Sequence, residues 1–348
     1  MKKQNTVLLL TDWSQQPDIP WKEYPRPQLK RKDWLCLNGK WDLSCNGQEW
    51  GEILVPYPPE SMLSGIMRSV GKKDVLIYRR SVSIPEGFRR GRVLLHFGAV
   101  DQKCKVWLND QLVGEHEGGY LPFHFDVTDF ISEENDLRVA VVDPMDHDYP
   151  WGKQSENRGG MWYTPVSGIW QTVWMESVPE NYIEALTIDT DMESVTITVH
   201  GGQGDKVLRC DGKRYLFHGS KVRIRPENPR LWSPETPHLY PFTIETETDR
   251  VESYFALRRI SIEKVGDYAR LCLNGKPYFF HGLLDQGYFP DGIYLPGAPE
   301  GYTFDVQTMK ELGFNTLRKH IKIEPERFYY DCDRLGMVVF QDLVNSGG

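Results

Sequence analysis

Between Trp41 and Val178 the chain alternates apolar and polar residues in short runs. Examples are "DVLIYRRSVSI", "RVLLHFGAV", "KCKVWLND", "FHFDVTDF", "DLRVAVVD" and "IWQTVWMESV", separated by Gly and Asn-Asp punctuation. A period of two sends every second side chain to one face, so these runs predict antiparallel strands sharing a core. Together they predict a β-sandwich of jelly-roll type over residues 1–180. Pro179 interrupts the series. A second alternating set, "SVTITVH", "KVRIRPENP", "PFTIETET" and "VESYFALRRISIE", predicts a smaller, immunoglobulin-like sandwich over 181–264.

After Lys264 the period changes. "KPYFFHGLLDQ" is a continuous apolar run, the pattern of a strand buried on both faces. Thr303 is placed to cap a helix carrying Val306, Met309 and Leu312, which Gly313 ends. "FNTLRK" predicts the next strand. Pro325 then sits in the first turn of a helix whose Phe328, Tyr329, Cys332 and Leu335 share one face, and Gly336 terminates it. "MVVFQD" predicts a third strand. Strand, helix, strand, helix, strand with short links is a parallel α/β unit over 265–348.

Composition narrows the function classes. A net charge of -8 argues against nucleic-acid and anionic-membrane partners, which call for clustered Lys and Arg. Lys2 and Lys3 precede only a short apolar run, Val7 to Leu10, too brief for a signal peptide, so a cytoplasmic location is expected. The six cysteines lack any C-x-x-C pair or metal-ligand spacing, so they are expected to be reduced thiols, and neither metal nor cofactor is expected. The 11 Trp and 17 Tyr suit pleated, half-buried sandwich faces, where most are expected to pack.

"NGKWDLS", "VWLND" with "VGEHEGGYLPFHFDVTDF", "SGIWQTVWMESV", "GFNTLRKH" and "FYYDCDRLGMVVFQD" resemble, in that order, glycoside hydrolase family 2. That is the family of β-galactosidases, β-glucuronidases and β-mannosidases. The resemblance implies a multidomain, mainly β protein: a jelly-roll sugar-binding domain, an immunoglobulin-like domain and the first part of a catalytic (β/α)8 TIM barrel. It also implies retaining chemistry by two carboxylic groups. The family's acid/base glutamate follows an asparagine, and no Asn-Glu pair occurs after Lys264. Neither catalytic carboxylate is therefore carried over, and the chain is expected to end after the third barrel strand.

Barrel enzymes place function at the C-terminal ends of their strands. That rule selects His281 and Asp285, then Arg318 and His320, then Asp342. Arg318 matches the arginine of a family motif led here by Asn315. His320 departs from the commoner family order, and "VVFQD" is closer to the mannosidase-like branch. A pairing of Arg318 with Asp285 or Asp342 as a rim ion pair is as good a reading as sugar contact, and His281 suits a hydrogen-bonded core role. Asp342 is the strongest substrate candidate, because a carboxylate ending an apolar strand needs a partner or a ligand hydroxyl. The excursion "DPMDHDYPWGKQSENRGGMWYTPVSG" exceeds the length of ordinary hairpin loops. In family relatives this region reaches the barrel mouth, which makes Asp148, Trp151, Glu156 and Trp162 further substrate-binding candidates, with an ordinary rim loop as the alternative.

Three functions compete at this point. They are the N-terminal portion of a retaining exo-β-glycosidase acting on β-glycosides, a non-catalytic carbohydrate-binding protein using the jelly roll, and a truncated product without function. Self-association through an incomplete barrel is an accompanying expectation.

Overall fold

The computed structural model describes residues 8–146, 148–157 and 159–345. Lys2, Lys3 and Val7 lie outside the described residues. The alternating runs form two facing antiparallel sheets. One has the order Gln48–Val55, Gly39–Cys45, Leu76–Ser83, Glu134–Val142, Lys103–Leu108, Gln111–Glu117, and the other Trp34–Cys36, Val173–Val178, Arg92–Phe97, Phe123–Asp126. Period two decides the burial: Trp41, Leu43 and Cys45 point into the core while Lys40 and Asp42 face solvent. Leu137, Val139 and Val141 do the same on the central strand.

Val173–Val178 breaks the alternation, since all six of its residues are buried. The segment 21–31 lies across its outer face, and the charge this traps is Glu176. Arg26 and Tyr24 bind that carboxylate, Arg31 Nη1 lies 3.6 Å away, and His96 Nε2 lies 3.2 Å away. Burial disfavours the charged form of Glu176, but the Arg26 guanidinium overcomes it and holds the carboxyl well below the usual range. The segment continues into the second sandwich, where Arg31 donates to Asp249 at 2.8 Å and Lys30 pairs with Glu252.

The second sandwich packs Ile183–Thr190, Val195–Gly201 and Lys221–Ile224 against Lys213–Phe217, Lys206–Cys210, Tyr240–Glu245 and Arg250–Phe255. Ile197, Leu208, Phe242, Ile244 and Phe255 meet in its core. The run read as one strand, "VESYFALRRISIE", divides. Its second half, Ile260–Val265, forms a hairpin with Tyr268–Leu273, paired across residues 264 and 265.

Gly282–Asp285, Thr316–Lys319 and Val338–Gln341 form a parallel sheet with Leu284, Arg318 and Phe340 in one row. The helices Glu300–Glu311 and Glu326–Leu335 supply Val306, Phe328 and Cys332 to the core that receives Leu317. Two sequence expectations are corrected here. The run after Lys276 is not buried on both faces, because Phe279 and Leu284 are 80% and 52% exposed, the row of Leu284 facing away from the helices. Thr303 is not a cap: the helix begins a turn earlier, after Pro299, and the Thr303 hydroxyl donates to Asp331 at 2.7 Å. Gly336 does end the second helix, at φ +85°, where a Cβ would stand 2.4 Å from Pro234 O.

The parallel unit does not stand apart from the first sandwich. Trp21, Tyr57, Tyr120 and Trp170 share one core with Tyr294, Tyr302, Leu317 and Phe328. On its other flank, Asp333 accepts from Trp232 Nε1, Tyr254 Oη and Arg258 Nη1 of the second sandwich. Among the described residues no helix is long and apolar enough to cross a membrane.

His96 supplies a pH prediction. Burial pushes its imidazole down to about 4, below the ordinary value of about 6.5. The unfolded chain therefore takes up the proton first as pH falls. The stability held by neutral His96 is complete above about pH 6.5 and is lost progressively down to about pH 4, roughly 3 kcal/mol in all. Urea unfolding across this range should show that slope in the native chain and a shallower one in His96→Gln.

Candidate substrate-binding edge

The C-terminal ends of the three parallel strands bring together Arg318, His320 and Asp342. The Arg318 guanidinium donates through Nε and Nη2 to the two Asp342 oxygens, at 3.0 Å each, and His320 Nδ1 lies 3.1 Å from Asp342 Oδ2. The Arg318 hydrogen bonds, stronger than the small cost of burial, hold the Asp342 carboxyl below its usual range. An ionised carboxylate has about four lone-pair sites, so Asp342 can still accept from a sugar hydroxyl. Arg318 is exposed beside it.

Asp285 does not join this group. It accepts from Lys319 Nζ at 2.8 Å, and Lys319 is buried because its strand turns it toward the helices. Lys319 also donates to Glu324 Oε1 at 2.7 Å, while Lys322 Nζ stands 2.8 Å from Glu324 Oε2 and Tyr302 Oη donates to the same oxygen at 2.6 Å. Burial lowers Lys322 to about 8. Burial also opposes the charges of Lys319 and Glu324, yet their mutual attraction prevails: the lysine is raised and the glutamate lowered. This network adjoins the edge. Gln341 Nε2 donates to Lys322 O and to Asp342 O, at 2.9 and 2.8 Å.

The loop over 143–168 meets the strand ends through Tyr163, which the sequence reading passed over. Gln286 Nε2 donates to Tyr163 Oη at 2.6 Å, and the Tyr163 ring stands edge-on to His320 with centroids 6.2 Å apart. Trp162 is instead tilted against Trp151, 5.4 Å away, and both line a separate cleft of about 300 Å³ with Glu156 and Lys72. Asp148 is exposed, and its backbone N–H donates to Asp146. His281 Nδ1 lies 3.3 Å from Gly313 O at the opposite end of the sheet. Lys319, Lys322 and Glu324 were also missed. Their signal was present in "LRKHIKIEP", where charges interleave with apolar residues at a strand end.

Comparison with known proteins identifies the family. The pattern described as "Glycosyl hydrolases family 2, sugar binding domain" matches residues 55–179, and "Glycosyl hydrolases family 2" matches 182–258. The chain belongs to glycoside hydrolase family 2. Within the family it is 26% identical to a β-galactosidase of Thermoanaerobacter pseudethanolicus, over 89% of this chain and 45% of that protein. It is 25% identical to the β-glucuronidase of Mus musculus, over 94% of this chain and 58% of the relative. The solved β-glucuronidase of Faecalibacterium prausnitzii superposes with a TM-score of 0.75 at 26% identity, covering 91% of this chain and 60% of its own. The β-glucuronidase of Dictyoglomus thermophilum, at 22% identity, shares the fold with the same TM-score over 92% and 59%. The chain spans about half the length of the curated relatives it matches.

Two substitutions separate the exposed edge from the buried network. Asp342→Ala removes a half-exposed pair and should cost at most about 1 kcal/mol of stability. Glu324→Ala leaves buried Lys322 without a carboxylate and Lys319 with Asp285 alone, and should cost about 3–5 kcal/mol. Chemical denaturation measures both, and equal losses would show that the Asp342 cluster is part of the scaffold.

Proposed function

We propose that this chain is the N-terminal portion of a retaining exo-β-glycosidase, with the family's two catalytic carboxylates supplied by sequence outside these 348 residues. In this reading 1–180 is a jelly-roll sugar-binding domain and 181–264 an immunoglobulin-like domain. Residues 265–348 hold the first three strands of a (β/α)8 barrel. The observation that carries it is the Arg318, His320 and Asp342 cluster, open at the C-terminal edge of parallel strands in a family 2 chain. Asp342 accepts hydroxyls of the terminal sugar, Arg318 and His320 orient it, and Asp285 acts from behind through Lys319. Trp162 and Glu156 offer an outer contact at their own cleft. The open row of Leu284 and Phe340 is a surface for self-association. A chain that sediments as a monomer at high concentration would remove that part.

Because the relatives are named as β-galactosidases and β-glucuronidases, galactose and glucuronate are the probes to use. Ligand-observed NMR should detect one of them on this chain and lose the signal in Arg318→Ala and Asp342→Ala. Binding that persists in both variants would take these residues out of the site. Aryl β-galactosides and β-glucuronides should not be turned over by the chain alone. Turnover that scales with purified protein would show that it carries its own carboxylates.

A further inference from the structure

The hydrogen bonds at the strand ends fix which atoms of the edge can give a proton and which can only receive one. Both Asp342 oxygens are clamped by the Arg318 guanidinium, at 3.0 Å each, and a carboxylate held that way is ionised and accepts only. The hydrogen between Asp342 Oδ2 and His320 Nδ1, 3.1 Å apart, therefore belongs to the imidazole. A neutral imidazole carries one N–H, and the partner of one nitrogen decides the state of the other. His320 Nε2 is then a bare lone pair.

The ring is kept in this orientation by its surroundings. The His320 backbone N–H donates to Asp285 O at 2.8 Å, and the Tyr163 ring, whose hydroxyl is held by Gln286, stands edge-on beside it. Nε2 has no partner among the described residues and is not closed off from solvent, the side chain being 13% exposed. The edge thus presents two acceptors, His320 Nε2 and the spare lone pairs of Asp342, beside the unused N–H groups of Arg318. Charge adds a second constraint. Among the described residues at the strand ends each cation has its acid: Arg318 has Asp342, while Lys319 and Lys322 share Asp285 and Glu324.

We propose that His320 is a specificity-determining residue, accepting a hydroxyl hydrogen of the terminal sugar through Nε2, so that these strand ends select a neutral hexose over a hexuronate. The proposal rests on the glycosidase reading above and narrows it. A ligand carboxylate has no proton to donate, so it would set its lone pairs against two acceptors and find no uncompensated cation among these residues. A hydroxyl donates to one acceptor and still takes a hydrogen bond from Arg318.

Nitrogen-15 NMR of the free chain at about pH 8, above the range in which histidines ordinarily change charge, reads the tautomer, with His320→Gln giving the assignment. His320 should carry its proton on Nδ1, and Asp342→Ala should abolish that preference. A proton on Nε2 in the native chain overturns the proposal, whatever sugar is bound. Binding at the same pH is then compared for galactose against galacturonate and glucose against glucuronate, pairs that differ only at C6. The neutral member should bind at least about fivefold tighter, the worth of one hydrogen bond. His320→Lys replaces the acceptor with a cationic donor and should reverse the order. Equal or tighter binding of the uronates by the native chain, or an order unchanged in His320→Lys, overturns the proposal while leaving the sugar site in place. If none of these sugars binds saturably, the sugar-site reading itself falls and takes the proposal with it.

Discussion

A buried charge has to be neutralised where it sits, and Glu324 neutralises two. Its carboxylate holds Lys319 at the end of the middle parallel strand and Lys322 in the loop that follows. Lys322 in turn donates to the carbonyls of Gly287 and Tyr294, backbone groups of the connection after the first parallel strand. One carboxylate therefore ties together the two strand-to-helix connections above the sheet. Gly287 has to be glycine for this to close, since a Cβ there would stand 2.4 Å from Glu324 Oε1. With that floor rigid, Gln341 and Asp342 are held from below, and the face left to solvent is the one bearing Arg318.

The same constraint explains why the first sandwich and the parallel unit form a continuous body. Lys322 lies 5.6 Å from the face of Trp170, a residue of the sandwich, and 4.6 Å from that of Tyr294. Cation-to-ring attraction is worth more when desolvated, so the aromatic core that joins the units also shelters the charges beneath the edge. Segment 21–31 seals the opposite side by bringing Arg26 and Arg31 to Glu176. Each junction covers a charge on an otherwise buried strand: Glu176 is met by Arg26 and Arg31 of the covering segment, and Lys319 by Glu324 of its own unit, beneath aromatic rings that the first sandwich shares.

Much of this was legible in the chain. Alternation located the strands of both sandwiches, because a period of two is imposed by the pleat and survives any tertiary context. The apolar face of the second helix, Phe328, Cys332 and Leu335, and its glycine terminus were equally clear. Thr303 misled because a hydroxyl near a helix start suits a cap, but Asp331 on the neighbouring helix competed for it. The run after Lys276 misled because apolar content tells nothing of which face a neighbour covers. Of the site candidates, Arg318, His320 and Asp342 could be chosen from strand-end position alone. Tyr163 could not, since its role depends on a loop folding over a sheet more than a hundred residues later in the chain.

What the sequence by itself determined is therefore what depends on local periodicity and ordered motifs: strand and helix order, family membership, and charged residues at one edge of a parallel sheet. The tertiary structure alone decided how those charges divide. Arg318 and Lys319 are adjacent, yet the pleat sends one to solvent and Asp342 and the other into the interior with Asp285 and Glu324. Pairing between charges depends on distance and dielectric in three dimensions, and neither is encoded in spacing along the chain.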